Sequence, residues 1–236
     1  MAYHFITFTV LVILSTSQTQ AASNHQLEIF YPSFSQLEDV EKRSNTVNAD
    51  YIKIVKYLNN TGLTYKFYSA PWKRALLNSN NNTNALIVYL DRTPEREKFY
   101  HWLLLLGSTQ NIIYGPITLL DKKTTISTLQ YTGGTAVCIR ASEQCNIFRG
   151  IGFSEEDENL IISSSAKVMS HELAKKGRAD YFIVDKDYFK MKSQYDLLLR
   201  SYKALFPLKK KGIYMAAPKN IDQNLLKKLT AAITKQ

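Results

Sequence analysis

The 236-residue sequence is poor in metal ligands: it has two cysteines and four scattered histidines (His4, His25, His101, His171), with no ligand spacing among them. That argues against a structural zinc site. It also lacks a second long apolar run. Beyond residue 14 nothing approaches the roughly 18 apolar residues that a membrane span requires, so the body of the chain is expected to be soluble. Acidic residues are outnumbered, 20 Asp and Glu against 30 Lys and Arg, which leaves a formal net charge of +10. The excess is spread along the chain and is densest at Lys209-Lys210-Lys211. No basic stripe with interleaved aromatics accompanies it, so nucleic-acid binding is not expected and the charge reads first as a solubility feature.

What is present begins with a leader. Residues 5–14 (FITFTVLVIL) form an apolar core too short to span a bilayer, and Thr19-Gln20-Ala21 supplies small residues for cleavage before Ala22. The pattern predicts a signal peptide over residues 1–21, although its n-region carries no Lys or Arg. Export to an oxidising compartment makes a disulfide between Cys138 and Cys145 the simplest account of the only two cysteines. A buried thiol at Cys138, inside the apolar AVCI run, is the alternative. About 215 residues then remain, enough for two small lobes or one large domain.

The mature chain alternates strands with helices. Residues 26–30 (QLEIF) read as a strand, and residues 50–58 as a helix with Ile54, Val55 and Leu58 on its apolar face. Residues 64–68 (TYKFY) form a second strand, and a short helix over 72–77 ends in the asparagine-rich stretch 78–84. The apolar run 85–90 (ALIVYL) is a buried strand of a mostly parallel sheet. This βαβαβ opening implies an α/β lobe, whose ligands sit outside the carboxyl ends of the strands. Arg92 and Arg96 fall there. A helix is expected next, with Thr93 as its cap, Pro94 at its first position and Glu95 and Glu97 near its positive end. Arg96 in its first turn is placed to grip a carboxylate in a two-pronged geometry. Pairing of both arginines with Glu95, Glu97 or Asp91 on a solvated face is an equally consistent reading of the spacing.

A second unit follows. Residues 111–120 are expected to carry a first crossing, residues 136–139 (AVCI) a strand, and Arg140-Ala141-Ser142-Glu143 a turn into a helix. A helix over 170–176 closes at Gly177 in the left-handed conformation, and the strand 179–184 (ADYFIV) delivers Asp185 to a sheet edge. By itself, an acid at that position reads as the cap of a helix over 186–192. The chain returns through residues 205–211, and a final helix over 221–233 presents Leu225, Leu226, Leu229 and Ile233 for packing on the first lobe.

Four groups of residues, taken together and in this order, resemble the periplasmic solute-binding proteins of family 3, which serve polar amino acid uptake. They are Tyr31-Pro32-Ser33-Phe34-Ser35, Ala70-Pro71-Trp72-Lys73-Arg74-Ala75-Leu76, Arg92-Thr93-Pro94-Glu95-Arg96-Glu97, and Gly177-Arg178-Ala179-Asp180 leading into Val184-Asp185. The resemblance implies a two-lobed, type II periplasmic-binding-protein-like α/β fold, each lobe a mostly parallel sheet flanked by helices and joined by two hinge strands. Lobe 1 would comprise residues 22–112 and 208–236, and lobe 2 residues 113–207. The arginine at Arg96 would grip a ligand carboxylate and the acid at Asp185 an ammonium, Tyr31 and Trp72 would flank the ligand side chain, and Ser142 would meet it from the second lobe. No cofactor, metal or catalysis is implied. The implied partners are a small polar solute and a membrane permease of the ABC type, for a monomeric periplasmic protein. The alternatives are a sensing module for a membrane signalling partner, or an exported dehydratase-like enzyme. For the enzyme, His101, Glu143 and Asp185 are the only acid–base candidates, and none has a visible partner. The chain departs from the pattern at Asp91, where the family carries Ser or Thr. It departs again at Arg140 with Cys145, in the glycine-free stretch Thr46–Asp50, and in the asparagines before the third strand. An aspartate at position 91 either pairs with an arginine and narrows the site or favours a cationic ligand.

Overall fold

The computed structural model describes residues 26–33, 49–121, 123–164 and 170–233. The expected signal peptide lies outside them, as do Phe34, Ser35 and residues 46–48. In chain order the elements are β1 (Leu27–Pro32), α1 (Ala49–Thr61), β2 (Tyr65–Ala70), α2 (Trp72–Asn81), β3 (Ala85–Asp91) and β4 (Tyr100–Thr109). Then come β5 (Asn111–Gly115), β6 (Ala136–Ile139), α3 (Glu143–Ile151), β7 (Leu160–Ser163), α4 (Ser170–Lys175) and β8 (Tyr181–Asp185). The chain ends with α5 (Lys186–Tyr195), β9 (Lys203–Pro207), β10 (Lys211–Pro218) and α6 (Gln223–Ile233).

Two five-stranded sheets result. The first has the order β2-β1-β3-β10-β4, with β10 antiparallel to both β3 and β4; the second has the order β7-β6-β8-β5-β9, with β5 antiparallel to both β8 and β9. The remaining pairings are parallel. The chain therefore leaves the first sheet at Thr109, enters the second at Asn111, and returns between Pro207 and Lys211. Period-two alternation sorts the apolar residues onto opposite faces. Leu27, Ile29, Leu86 and Val88 pack with Ile54, Tyr57, Leu58 and Leu229, whereas Phe30, Ala85 and Ile87 pack with Trp72 and Ala75. The second sheet divides likewise, Ile113, Cys138 and Ile183 on one side and Ile112, Val137, Phe182 and Val184 on the other. The β3 run ALIVYL is buried on both faces because it lies between β1 and β10, as a central strand requires. Helix α1 buries Ile54, Tyr57 and Leu58 at helical spacing, and Tyr57 Oη donates to the Leu229 carbonyl at 2.7 Å, joining the two ends of the chain.

One expected element is corrected. The helix predicted from Thr93 onward is a single 3-10 turn, Pro94–Arg96, with no cap bond from the Thr93 side chain, and the chain extends again as β4. Capping and dipole signals are worth about 1 kcal/mol each. They lose here to an antiparallel ladder running from Lys211 against Thr109 to Pro218 against Tyr100, which buries Leu103, Leu104 and Leu106. No helix among the described residues is long and apolar enough to cross a membrane, and no cluster among them could hold a metal ion.

Cys138 and Cys145 form a disulfide that ties β6 to the first turn of α3 across seven residues. Replacing both with serine is expected to cost about 2–3 kcal/mol, from the loop-closure entropy of so short a ring. In a thermal melt followed by circular dichroism this should appear as a loss of roughly 4–12 °C.

Candidate functional site

Between the two sheets lies a cleft of about 350 Å³. The first lobe contributes Trp72 at the start of α2, Tyr89 and Asp91 at the carboxyl end of β3, and Arg96 from the 3-10 turn. The first crossing contributes Thr109 and Asn111, and the second lobe Ser142, Glu143, Gln144 and Asp185. A second cavity of about 610 Å³ shares Arg96, Glu143 and Ile147 with it. Five of the six ligand-binding residues expected from the sequence are thus brought together. Tyr31 is not: it is 3 % exposed, on the opposite face of β1, with its ring edge-on to Phe67. Strand parity explains the miss, since its neighbours Phe30 and Pro32 point the other way, Phe30 into the Trp72 cluster and Pro32 into the cleft wall.

Arg96 is half-buried, and Nη1 donates to the Asp91 carbonyl at 3.0 Å. Among the described residues it makes no other hydrogen bond, and no carboxylate lies within ion-pair distance of it. Burial pulls its pKa below the usual value, with Asp91 the chief opposing influence. A guanidinium has five N–H donors, so four are left to meet an incoming anion. Arg92 behaves differently. It is exposed, pairs with Glu97 through Nε at 2.6 Å and Nη2 at 3.2 Å, and lies over the rings of Trp102 and Tyr214.

The Asp91 side chain has no hydrogen-bond partner among the described residues. Burial holds its pKa above the usual carboxylate range, against the pull of Arg96 and Lys211. Lys211, at the start of β10, forms an ion pair with Glu143 Oε1. This contact joins the lobes, as does the hydrogen bond from Trp72 Nε1 to the Ala141 carbonyl at 3.2 Å. Ala141 (φ 62°) and Tyr89 (φ 63°) are both non-glycine residues in the left-handed region, and both border the cleft system. Such strain persists only where the surroundings over-determine it, and it concentrates at functional sites.

Asp185 has another task. Oδ1 accepts from the backbone N–H groups of Asp187 (2.9 Å) and Tyr188 (3.0 Å), while Oδ2 accepts from Thr109 Oγ1 (2.7 Å) and the Gln110 N–H (3.1 Å). A carboxylate offers about four acceptor positions, and all are taken. The acid caps α5 and fastens the first crossing, which leaves it no free lone pair for an ammonium. Of the acid–base candidates, Glu143 and Asp185 line the cleft, whereas His101 sits elsewhere, beside Lys219 Nζ at 3.4 Å.

The sequence matches no protein-family model and no curated protein. Its fold matches solved structures along most of its length. An ancestral arginine-binding protein bound to arginine superposes with a TM-score of 0.66 at 13% identity, over 89% of this chain and 92% of that one. The chain has the two-lobed fold of the type II periplasmic binding proteins. Within that fold it is also similar to the arginine-, lysine-, histidine-binding protein ArtJ from Geobacillus stearothermophilus (TM-score 0.66, 14% identity, 89% of this chain and 88% of that one). A histidine kinase sensor domain with similarity to periplasmic binding proteins gives a TM-score of 0.67 at 10% identity, over 89% of each chain.

Sequence reasoning missed Lys211, hidden in a lysine run that reads as solvated, and the cleft roles of Gln144, Asn111 and Thr109. The one available signal was their position next to a crossing or at a helix start. Asp185→Ala should lower stability by about 1–3 kcal/mol, through the lost cap and the orphaned donors it leaves. Chemical denaturation checks this; an unchanged midpoint would show that the four bonds contribute nothing net.

Proposed function

We propose that the protein is a periplasmic solute-binding protein, exported by a cleaved leader, that captures a small polar ligand between its lobes without turning it over. The ligand class is an amino acid or related carboxylate. One observation carries the reading: Arg96, a half-buried guanidinium with a single hydrogen bond and no carboxylate within ion-pair distance among the described residues, facing a cleft of about 350 Å³. A volume at this scale fits a small molecule. Trp72 forms an apolar wall beside it, and the Cys138–Cys145 disulfide accords with an oxidising compartment. In this reading residues 22–112 with 208–236, and residues 113–207, close on each other about the two crossings. The partner that reads closure is an ABC-type permease. The likeness to a kinase sensor domain supports a membrane sensor as the second reading.

A thermal-shift screen of the purified protein against amino acids and small carboxylates tests the proposal. A ligand at a hundred times its dissociation constant adds about 2.7 kcal/mol of apparent stability, a shift of several degrees. Arg96→Ala should weaken that ligand by roughly 2–5 kcal/mol, about thirtyfold or more, in a calorimetric titration. Binding that survives the substitution unchanged would refute the role of Arg96.

A further inference from the structure

Apolar side chains left in solvent are concentrated in one place. Of the eleven large hydrophobic residues exposed among the described ones, four fall within residues 191–198 of the second lobe: Met191 (45 %), Tyr195 (86 %), Leu197 (72 %) and Leu198 (61 %). Single exposed apolar residues are ordinary, whereas a contiguous group marks a surface that something covers. Met191 and Tyr195 are one turn apart on the outer face of α5, which also exposes Lys186, Asp187, Lys190 and Gln194, while Phe189 packs inward. Leu197 and Leu198 open the 3-10 turn Leu197–Ser201 that follows.

Local bonds fix the two leucines outward. Asp196 Oδ1 accepts from the Leu198 N–H at 3.1 Å, and Oδ2 pairs with Lys175 Nζ at 2.5 Å. Leu199 is buried and anchors the turn among Phe182, Phe189 and Tyr202. The Arg200 guanidinium donates to the Ser193 and Gln194 carbonyls, at 3.2 and 3.0 Å, and closes the carboxyl end of α5. Leu197 and Leu198 cannot turn inward without breaking these contacts.

The same surface is basic. Residues 186–203 hold five cations, Lys186, Lys190, Lys192, Arg200 and Lys203, against two acids, Asp187 and Asp196. Asp196 is taken by Lys175, whereas none of the five cations has an ion pair among the described residues. Two copies meeting through this face would set like charges against each other, so charge complementarity asks for an anionic occupant. Leucine, methionine and tyrosine set among lysines suit a lipid interface. There the acyl region takes the apolar tips, tyrosine sits at headgroup depth, and long lysine stems reach the phosphates.

We infer that the second lobe docks on an anionic phospholipid surface through the end of α5 and the turn Leu197–Ser201. The dock is remote from the cleft. Asp185 and Tyr188 line the cleft at the start of α5, and Tyr195 lies roughly 15 Å further along the helix. Contact with lipid therefore leaves the cleft clear, and docking of this kind is independent of what the cleft binds.

Flotation of the purified protein with vesicles of phosphatidylcholine, alone or mixed with phosphatidylglycerol, is the test. The protein should rise with the anionic vesicles, stay behind with the neutral ones, and be released as salt is raised, because salt screens the cations from the headgroups. Leu197→Ser combined with Leu198→Ser should weaken partition by about tenfold or more. Tyr195→Ser, outside the turn, should weaken it too, and serves if the leucine pair fails to fold. Lys190→Glu combined with Lys203→Glu should weaken it by about thirtyfold or more. The same charge change on exposed lysines of α6, Lys227→Glu combined with Lys228→Glu, should weaken it by no more than about threefold. Melting curves verify that each variant folds. Failure to float with anionic vesicles, equal losses in the two lysine variants, or partition unaltered by the leucine and tyrosine substitutions would each overturn the inference. So would a dimer in sedimentation velocity that the leucine substitutions dissociate, which would assign the face to a second copy.

Discussion

The structure depends on the way a chain that crosses twice between two sheets is fastened at one of those crossings. The first is a single residue, Gln110, between β4 and β5. Asp185 binds it, taking the Gln110 N–H and the Thr109 hydroxyl on one oxygen and the first turn of α5 on the other. One carboxylate thus joins β4, β5, β8 and α5 at a point, and each of its bonds is charge-assisted. The cleft opens beside this joint. On either side of it the apolar clusters of the two sheets are largely separate. The exception is Ile139, the last residue of β6, whose side chain belongs to the cluster of Trp72 and Tyr100.

The cleft holds more polarity than it satisfies, and two of the three described non-glycine residues in left-handed backbone border it, Glu158 lying elsewhere. Tyr89 and Ala141 occupy left-handed backbone without glycine, one on each lobe, and Ala141 offers its carbonyl to Trp72 across the gap. Arg96, Asp91 and three buried oxygens without a hydrogen-bond partner among the described residues, Ser142 Oγ, Glu143 Oε2 and Gln144 Oε1, lie within a few residues of those positions. Strain, unpaired buried acceptors and a guanidinium with no close ion pair among the described residues are each costly for stability. They concentrate in one cavity, and the intact cores of the two lobes supply the compensation.

Much of the fold was legible in the sequence because the strongest signals were local and unopposed. The run ALIVYL reads as a buried central strand and is one, and Ile54 with Leu58 predicts the inward face of α1. The two-lobed architecture followed from the resemblance rather than from periodicity. Where the reading failed, a long-range partner had decided the outcome. Thr93-Pro94-Glu95 has the grammar of a helix start, yet β10 offers β4 an open antiparallel edge, and a local preference of about 1 kcal/mol cannot outbid a ladder. The site was less legible. Arg96, Trp72, Asp91, Ser142 and Asp185 converge on one cavity, but Tyr31 was lost to strand parity and Lys211 was masked by its lysine neighbours. The capping role of Asp185 was visible in its position before a helix, whereas its grip on Thr109 and Gln110, some 75 residues away in sequence, was not.

The central claim is that a ligand carboxylate sits on Arg96 between the two lobes. A crystal structure of the protein grown with the amino acid that shifts its melting temperature most tests this directly. The account predicts carboxylate oxygens roughly 2.7–2.9 Å from the Arg96 guanidinium nitrogens, enclosed by both lobes. A ligand bound outside the cleft, or inside it with its carboxylate turned away from Arg96, would contradict it.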